Sequence, residues 1–322
     1  MLSWKKLGNV FNPMISKPKP WMQEYAQCPT PLILNDNILR VYVTCRGQRG
    51  EDLQHVSYPG YVDLSRIDLS RVVRLSDNPL MPFGQPGSFD EFGITPTSFV
   101  REGDKIYAYY TGWTRMQSVP YTMAIGIAVS RDGGESFTRL GQGPILGPTL
   151  CEPFLSSGPI VRRIGGRWHM WYLMGKGWVL SDGKYESVYQ ISHATSEDGL
   201  AWDRNGKTIL PARSENECQV SFTPFYLAGR WHALFAFRQA TGFRADAARS
   251  YRLGYAWSTD LETWERDDSQ AGLDVSASGW DAEMMCYPQI GEVDGRVLLF
   301  YCGNDFGRNG FGIAELTNHS VS

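Results

Sequence analysis

Short apolar runs, each opened by a proline and broken by a polar turn, recur along the chain. The prolines are Pro31, Pro96, Pro159, Pro224 and Pro288, at intervals of 65, 63, 65 and 64 residues. Each is followed by the same succession: an apolar strand, a tight turn, then an aromatic-rich strand. The stretches from Pro96 to Tyr110 and from Pro159 to Tyr172 show it most plainly. A fixed period of this kind marks a repeat architecture. Five all-strand units predict an all-β, five-bladed β-propeller with four-stranded antiparallel blades.

The second unit is the clearest. It predicts strands over 97–100, 105–111, 123–130 and 136–140, joined by Gly- and Asp-containing hairpin turns. The last of these turns is itself repeated, with Ser130 and Asp132, Ser196 and Asp198, and Ser258 and Asp260 two residues apart. An Asp there bonds backbone amides further on, so these aspartates are expected to hold turns, with the aromatic that follows packing between blades. The first unit lacks this turn in its outer half. The last unit ends near Glu315, so residues 4–10 are expected to supply its missing outer strand and close the ring. The chain is thus expected to be one propeller over 1–322, with repeats near 24–80, 90–147, 152–211, 215–276 and 281–316.

Composition narrows the setting. A net charge of −3 provides no field favouring nucleic acid or an anionic membrane. No apolar run approaches a membrane span, and the first residues lack the apolar core of a signal peptide. The six cysteines show no CxxC spacing. A cytoplasmic protein with reduced thiols is expected, without a cofactor or a metal motif.

Propeller geometry brings the start of each first strand and the end of each second strand to one mouth of the central channel. The residues before the prolines are acidic. Glu24, Glu152, Glu217 and Asp281 each stand seven residues upstream of a proline, and Glu91 and Glu283 stand five upstream; Asp90 and Glu215 belong to the same stretches. A ring of carboxylates suits acid–base work on a glycosidic bond, where one carboxyl is held protonated and another ionised. After the second strands come Arg46, Arg49, Trp113, Lys176, Trp178, Arg238, Arg244, Asn304 and Asp305. Indoles could stack on sugar faces, and arginines could grip an anionic ligand or merely neutralise the acidic ring. His169, His232 and His193 read as repeat features, whereas His55 lies in a loop that could reach the mouth. No nucleophile elbow, phosphate loop or dinucleotide fingerprint is present.

The proline-led strands, the strand ends at Tyr109-Tyr110-Thr111-Gly112 and Phe300-Tyr301-Cys302-Gly303, and the Ser-x-Asp turns resemble the five-bladed propeller glycosidases. That superfamily includes the arabinanase and xylosidase family 43, the invertase-like family 32 and the mannoside phosphorylase family 130. The resemblance spans almost the whole chain and implies a divergent member. Family 43 usually carries aspartates directly before the proline. Here Thr30, Thr95, Gly158, Thr223 and Tyr287 occupy that slot, so its triad does not transfer. The resemblance also brings a channel Ca²⁺ into view, although no ligand motif calls for one.

The expected function is therefore hydrolysis of an O-glycosidic bond in an oligosaccharide or glycoconjugate. Glu217 is the candidate acid, Glu91 the base or nucleophile, and Glu152 and Glu283 tuning or binding groups. Glu24, Arg46, Asp90, Trp113, Lys176, Trp178, Arg238, Asp281, Asn304 and Asp305 are the candidate substrate contacts. Phosphorolysis, with Arg46, Lys176 and Arg238 seating phosphate, and sugar binding without catalysis are the alternatives.

Overall fold

The strand that completes the last blade comes from the other end of the chain. In the computed structural model, which describes residues 1–16, 18–47 and 55–317, β1 (Trp4–Phe11) pairs antiparallel with β20 (Phe311–Leu316), Trp4 opposite Leu316. It forms the outer edge of a sheet ordered β1-β20-β19-β18, with β18 at Cys286–Val293 and β19 at Arg296–Cys302. Four more four-stranded antiparallel sheets complete a five-bladed propeller. Blade 1 is β2 (Glu24–Ile33), β3 (Ile38–Arg46), β4 (Tyr58–Ser65) and β5 (Val72–Leu75). Blade 2 is β6 (Gly93–Glu102), β7 (Lys105–Arg115), β8 (Tyr121–Ser130) and β9 (Thr138–Arg139). Blade 3 is β10 (Ser156–Ile164), β11 (Arg167–Ser181), β12 (Lys184–Ser196) and β13 (Asp203–Thr208). Blade 4 is β14 (Glu217–Leu227), β15 (Arg230–Gln239), β16 (Arg252–Ser258) and β17 (Glu265–Arg266).

The recurring proline marks a bulge. In all five innermost strands the ladder slips a residue at or beside it, between Gln27 and Thr30, Pro96 and Ser98, Ser157 and Ile160, Val220 and Thr223, and Cys286 and Gln289. An innermost strand has a ladder partner on one side only, so a residue without an N–H is tolerated there, and a bulge bends the strand around the channel. The freed backbone groups bond the neighbouring blade: Thr97 Oγ1 donates to the Pro159 carbonyl (2.7 Å), and the Ile290 amide donates to Thr223 Oγ1 (3.0 Å). Across the channel, Gln289 Nε2 of blade 5 donates to the Thr97 carbonyl of blade 2 (3.1 Å). That buried bond separates a front mouth, where the inner strands begin, from a rear one.

The Ser-x-Asp turns are built as expected. Asp132 accepts from the amides of Glu135 and Ser136, Asp198 from Leu200 and Ala201, and Asp260 from Glu262 and Thr263. The aromatics that follow wedge between blades: Phe137 lies edge-on to Tyr42, Trp202 to Tyr109, and Trp264 to Trp171 and Phe222. The fourth strand of blade 2 is shorter than expected, because beyond Arg139 the chain leaves the ladder.

Candidate active site at the front mouth

Four of the expected mouth acids lie in one repeated arrangement behind the mouth. Asp90 accepts from Arg139 Nε (2.7 Å) and the Tyr110 hydroxyl (3.0 Å). Glu152 accepts from Arg204 Nη1 (2.8 Å) and the Tyr172 hydroxyl (2.9 Å). Asp281 accepts from Lys6 Nζ (2.7 Å) and the Tyr301 hydroxyl (3.0 Å). Glu217 accepts from Arg266 Nη1 (2.6 Å) and, where blade 4 has Phe235 in place of the tyrosine, from Gln219 Nε2 (2.9 Å). All four carboxylates are buried, and each cation sits on the outermost strand of its blade. The arrangement ties the chain entering a blade to that blade's outer edge. A buried carboxylate needs such a cation and added hydrogen bonds to offset its desolvation.

Glu24 is not a member of this set. In blade 1 the slot falls to buried Met22: Trp21 packs on Gly60 of the third strand as Trp280 packs on Gly312 in blade 5. Glu24 instead opens β2 at the mouth and accepts from Arg308 Nη2 (2.8 Å).

The mouth has a floor of tyrosines and guanidinium groups to which every blade contributes. From blade 1, Arg46 lies over the Tyr25 ring at 4.4 Å. From blade 2, the Tyr121 hydroxyl meets Ser187 Oγ of blade 3 at 2.9 Å, and its ring stands edge-on to Trp178. Tyr189 of blade 3 shares a 2.5 Å hydroxyl bond with Tyr251 of blade 4 and accepts from Arg238 Nη2 at 3.1 Å. Arg238 also stacks on Phe243 at 3.7 Å. Blade 5 adds Tyr287 and Phe306, whose rings lie 6.0 and 6.1 Å from Tyr251. Nε of Arg46 and of Arg238 are buried and meet no acceptor among the described residues.

Burial pushes the Tyr189, Tyr251, Tyr287 and Tyr121 hydroxyls up, so they stay neutral donors at physiological pH. Burial also lowers Arg46, against the pull of Tyr25, Tyr287 and Glu24. For Arg238 the opposing influence of Tyr189, Tyr251 and Cys218 outweighs burial and keeps the group cationic. A surface of neutral hydroxyls, fixed guanidinium donors and aromatic faces suits a polyol, which stacks through its C–H face and hydrogen-bonds around its rim.

The remaining candidates are dispersed. Glu91 is half-buried and accepts from the Gly87 amide, in the loop before β6. Glu283 is exposed, and its amide donates to Asn304 Oδ1. Asn304 also donates to the Gly279 carbonyl, so it braces that loop, and Asp305 is exposed at a positive φ of 52°. Trp113 covers Gly93, and Lys176 is exposed beside the bulge in the β11–β12 hairpin. Arg49 lies outside the described residues. His55 is edge-on to Tyr25 at 5.7 Å, while His169 bonds His193 and His232 bonds Tyr255 within their blades. Among the described residues no three His, Cys, Asp or Glu side chains are grouped to hold a metal ion. All six cysteines are free.

Sequence reasoning missed Tyr121, Glu186, Ser187 and Tyr189, which lie near the starts of third strands. Those starts reach the same mouth as the ends of second strands. Glu186 pairs there with Arg244 at 3.1 Å.

This architecture defines the class: the chain has the five-bladed fold of the propeller glycosidases. It superposes on a glycoside hydrolase with a TM-score of 0.74 at 15% identity, covering 100% of this chain and 94% of the other. It superposes at 0.68 and 14% identity on a structure described under the GH130 family of mannoside phosphorylases, which contains glycoside hydrolases that target β-1,2 mannosidic linkages in Candida mannan; 98% of this chain and 94% of that one are covered. A thermostable family-43 glycoside hydrolase gives 0.62 at 14% identity, over 89% of this chain and 88% of the other. In sequence, the chain belongs to the family of the uncharacterized protein Rv1502 of Mycobacterium tuberculosis (strain ATCC 25618 / H37Rv), with 31% identity over 98% of this chain and 100% of the relative. It is also 26% identical to the β-1,2-mannobiose phosphorylase of Thermoanaerobacter sp. (strain X514), over 40% of this chain and 44% of that protein. No family model matches.

Proposed function

We propose that this chain is a glycoside-processing enzyme that holds its glycan on the front-mouth floor and cleaves an O-glycosidic bond there. The observation that carries this reading is the convergence of all five blades on one surface of neutral hydroxyls, guanidinium donors and aromatic faces. We assign the acid–base work to carboxylates outside the blade locks. Glu24 and Glu186 flank the floor, and Glu91 and Glu283 stand on loops leading to inner strands. One protonates the leaving oxygen while another activates the attacking group at the anomeric carbon. Glu152 and Glu217, with Asp90 and Asp281, we assign to holding the blades.

Phosphorolysis is the second reading, favoured by the partial match to a β-1,2-mannobiose phosphorylase and by the buried donors of Arg46 and Arg238. One assay separates the two. Purified protein is incubated with β-linked manno-oligosaccharides and a wider glycan panel, with and without inorganic phosphate. Free sugar released without phosphate is the expected result. Sugar phosphate formed only when phosphate is present would select the second reading. Saturable glycan binding with no cleavage under either condition would overturn both.

A further inference from the structure

The rear of the channel holds a second recess. Beyond the Gln289–Thr97 bond a cavity of about 240 Å³ opens, lined by Arg101 of blade 2, Arg162 and Arg163 of blade 3, and residues of blades 1 and 5. Arg163 is committed to Glu102 at 3.0 Å on the surface. The other two are not. Among the described residues neither Arg101 nor Arg162 has a carboxylate within ion-pair distance. Arg101 reaches only the Ile33 carbonyl (3.4 Å), and Arg162 only the carbonyl of its own neighbour Val161 (3.0 Å). Glu292 is the one acidic group acting on Arg162, from beyond contact, and burial lowers this guanidinium to about 10. Arg40 and Arg266, by contrast, face carboxylates directly, Arg40 at 2.7 Å from Asp63 and Arg266 at 2.6 Å from Glu217. A guanidinium kept in a recess without its counter-charge presents forked donors to an incoming anion.

We propose that the rear mouth is an anion site, with Arg162 and Arg101 gripping a phosphate-type oxyanion, either free or borne by a small metabolite. The Gln289–Thr97 bond separates it from the glycan floor. An anion bridging blades 2 and 3 would stabilise the ring independently of turnover at the front.

The test is thermal unfolding and isothermal titration of the full chain with inorganic phosphate, at ionic strength held constant with NaCl. Wild type should show a saturable rise in Tm and a binding isotherm. Arg162→Gln and Arg101→Gln should each weaken binding at least tenfold, while Arg238→Met, at the front mouth, should leave it unchanged. Should Arg162→Gln fail to fold, the exposed Arg101→Gln decides alone. Glucose 1-phosphate and malonate, titrated in parallel, separate a phosphate ester and a dicarboxylate from the free ion. No saturable phosphate effect would overturn the proposal. So would malonate binding without phosphate binding, or an effect lost in Arg238→Met but kept in the rear variants. The last result would place the anion at the front mouth.

Discussion

Arg266 and Glu217 meet at 2.6 Å with both side chains 1% exposed. The carboxylate that sequence spacing makes the candidate acid is held behind the mouth by a cation on the outermost strand of the same blade. Removing one member of such a pair leaves a buried charge without its partner. Arg266→Met, which leaves the Glu217 carboxylate without a cation, is expected to cost about 3–5 kcal/mol in unfolding free energy, the usual cost of breaking a buried pair. Glu217→Ala should cost less, because Asp268 still faces Arg266 at 2.9 Å. Glu217→Ala/Arg266→Met should recover part of the larger loss. Urea unfolding of the two single variants and the double variant measures the coupling; additive losses would contradict a direct lock.

The ring closes through β1, which pairs with β20 and sends Lys6 to Asp281. Deleting residues 1–11 exposes the edge of β20 and strips Asp281 of its cation. The truncated chain is expected to unfold at lower temperature and to self-associate through the open edge. Calorimetry with light scattering checks this, and a monomer of unchanged Tm would contradict the closure.

Much of the scaffold is legible in the sequence because it is local. The turn aspartates bond amides within four residues, and the proline period reports a bulge repeated at one place in each inner strand. Ring closure is legible because the last unit visibly lacks a strand. The role of the acids is not, because Arg139, Arg204, Arg266 and Lys6 each stand 49 or more residues from the carboxylate they neutralise. Counting back from the proline also misplaces Glu24. In blade 1 the slot falls to Met22, nine residues before Pro31, and not to Glu24 at seven. The mouth floor draws on starts of third strands, to which the proline spacing carries no pointer.

His193 stacks on Trp171 and shares a 3.1 Å ring-nitrogen bond with His169. Burial, then the nearby His169 and Arg167, pushes its pKa down to about 4. The unfolded value is about 6.5. A base depressed on folding contributes stability that is present above its unfolded value and lost as pH falls towards the folded one. Stability should therefore decline between about pH 6.5 and 4, and His193→Phe should flatten that part of the profile. Equal slopes for wild type and variant in a pH series of urea unfolding would refute this.

The central claim is that the front-mouth floor, and not the ring of locked carboxylates, holds the glycan. The most direct measurement is kcat/KM on a cleaved glycan for Arg238→Met and Tyr251→Phe, with far-UV circular dichroism as a folding control. A hydrogen bond to a charged group is worth about 1.5–3 kcal/mol. Arg238→Met should therefore lose on the order of tenfold to a hundredfold, and Tyr251→Phe a smaller factor, with both variants folded. Folded variants that cleave the glycan as wild type does would contradict the account.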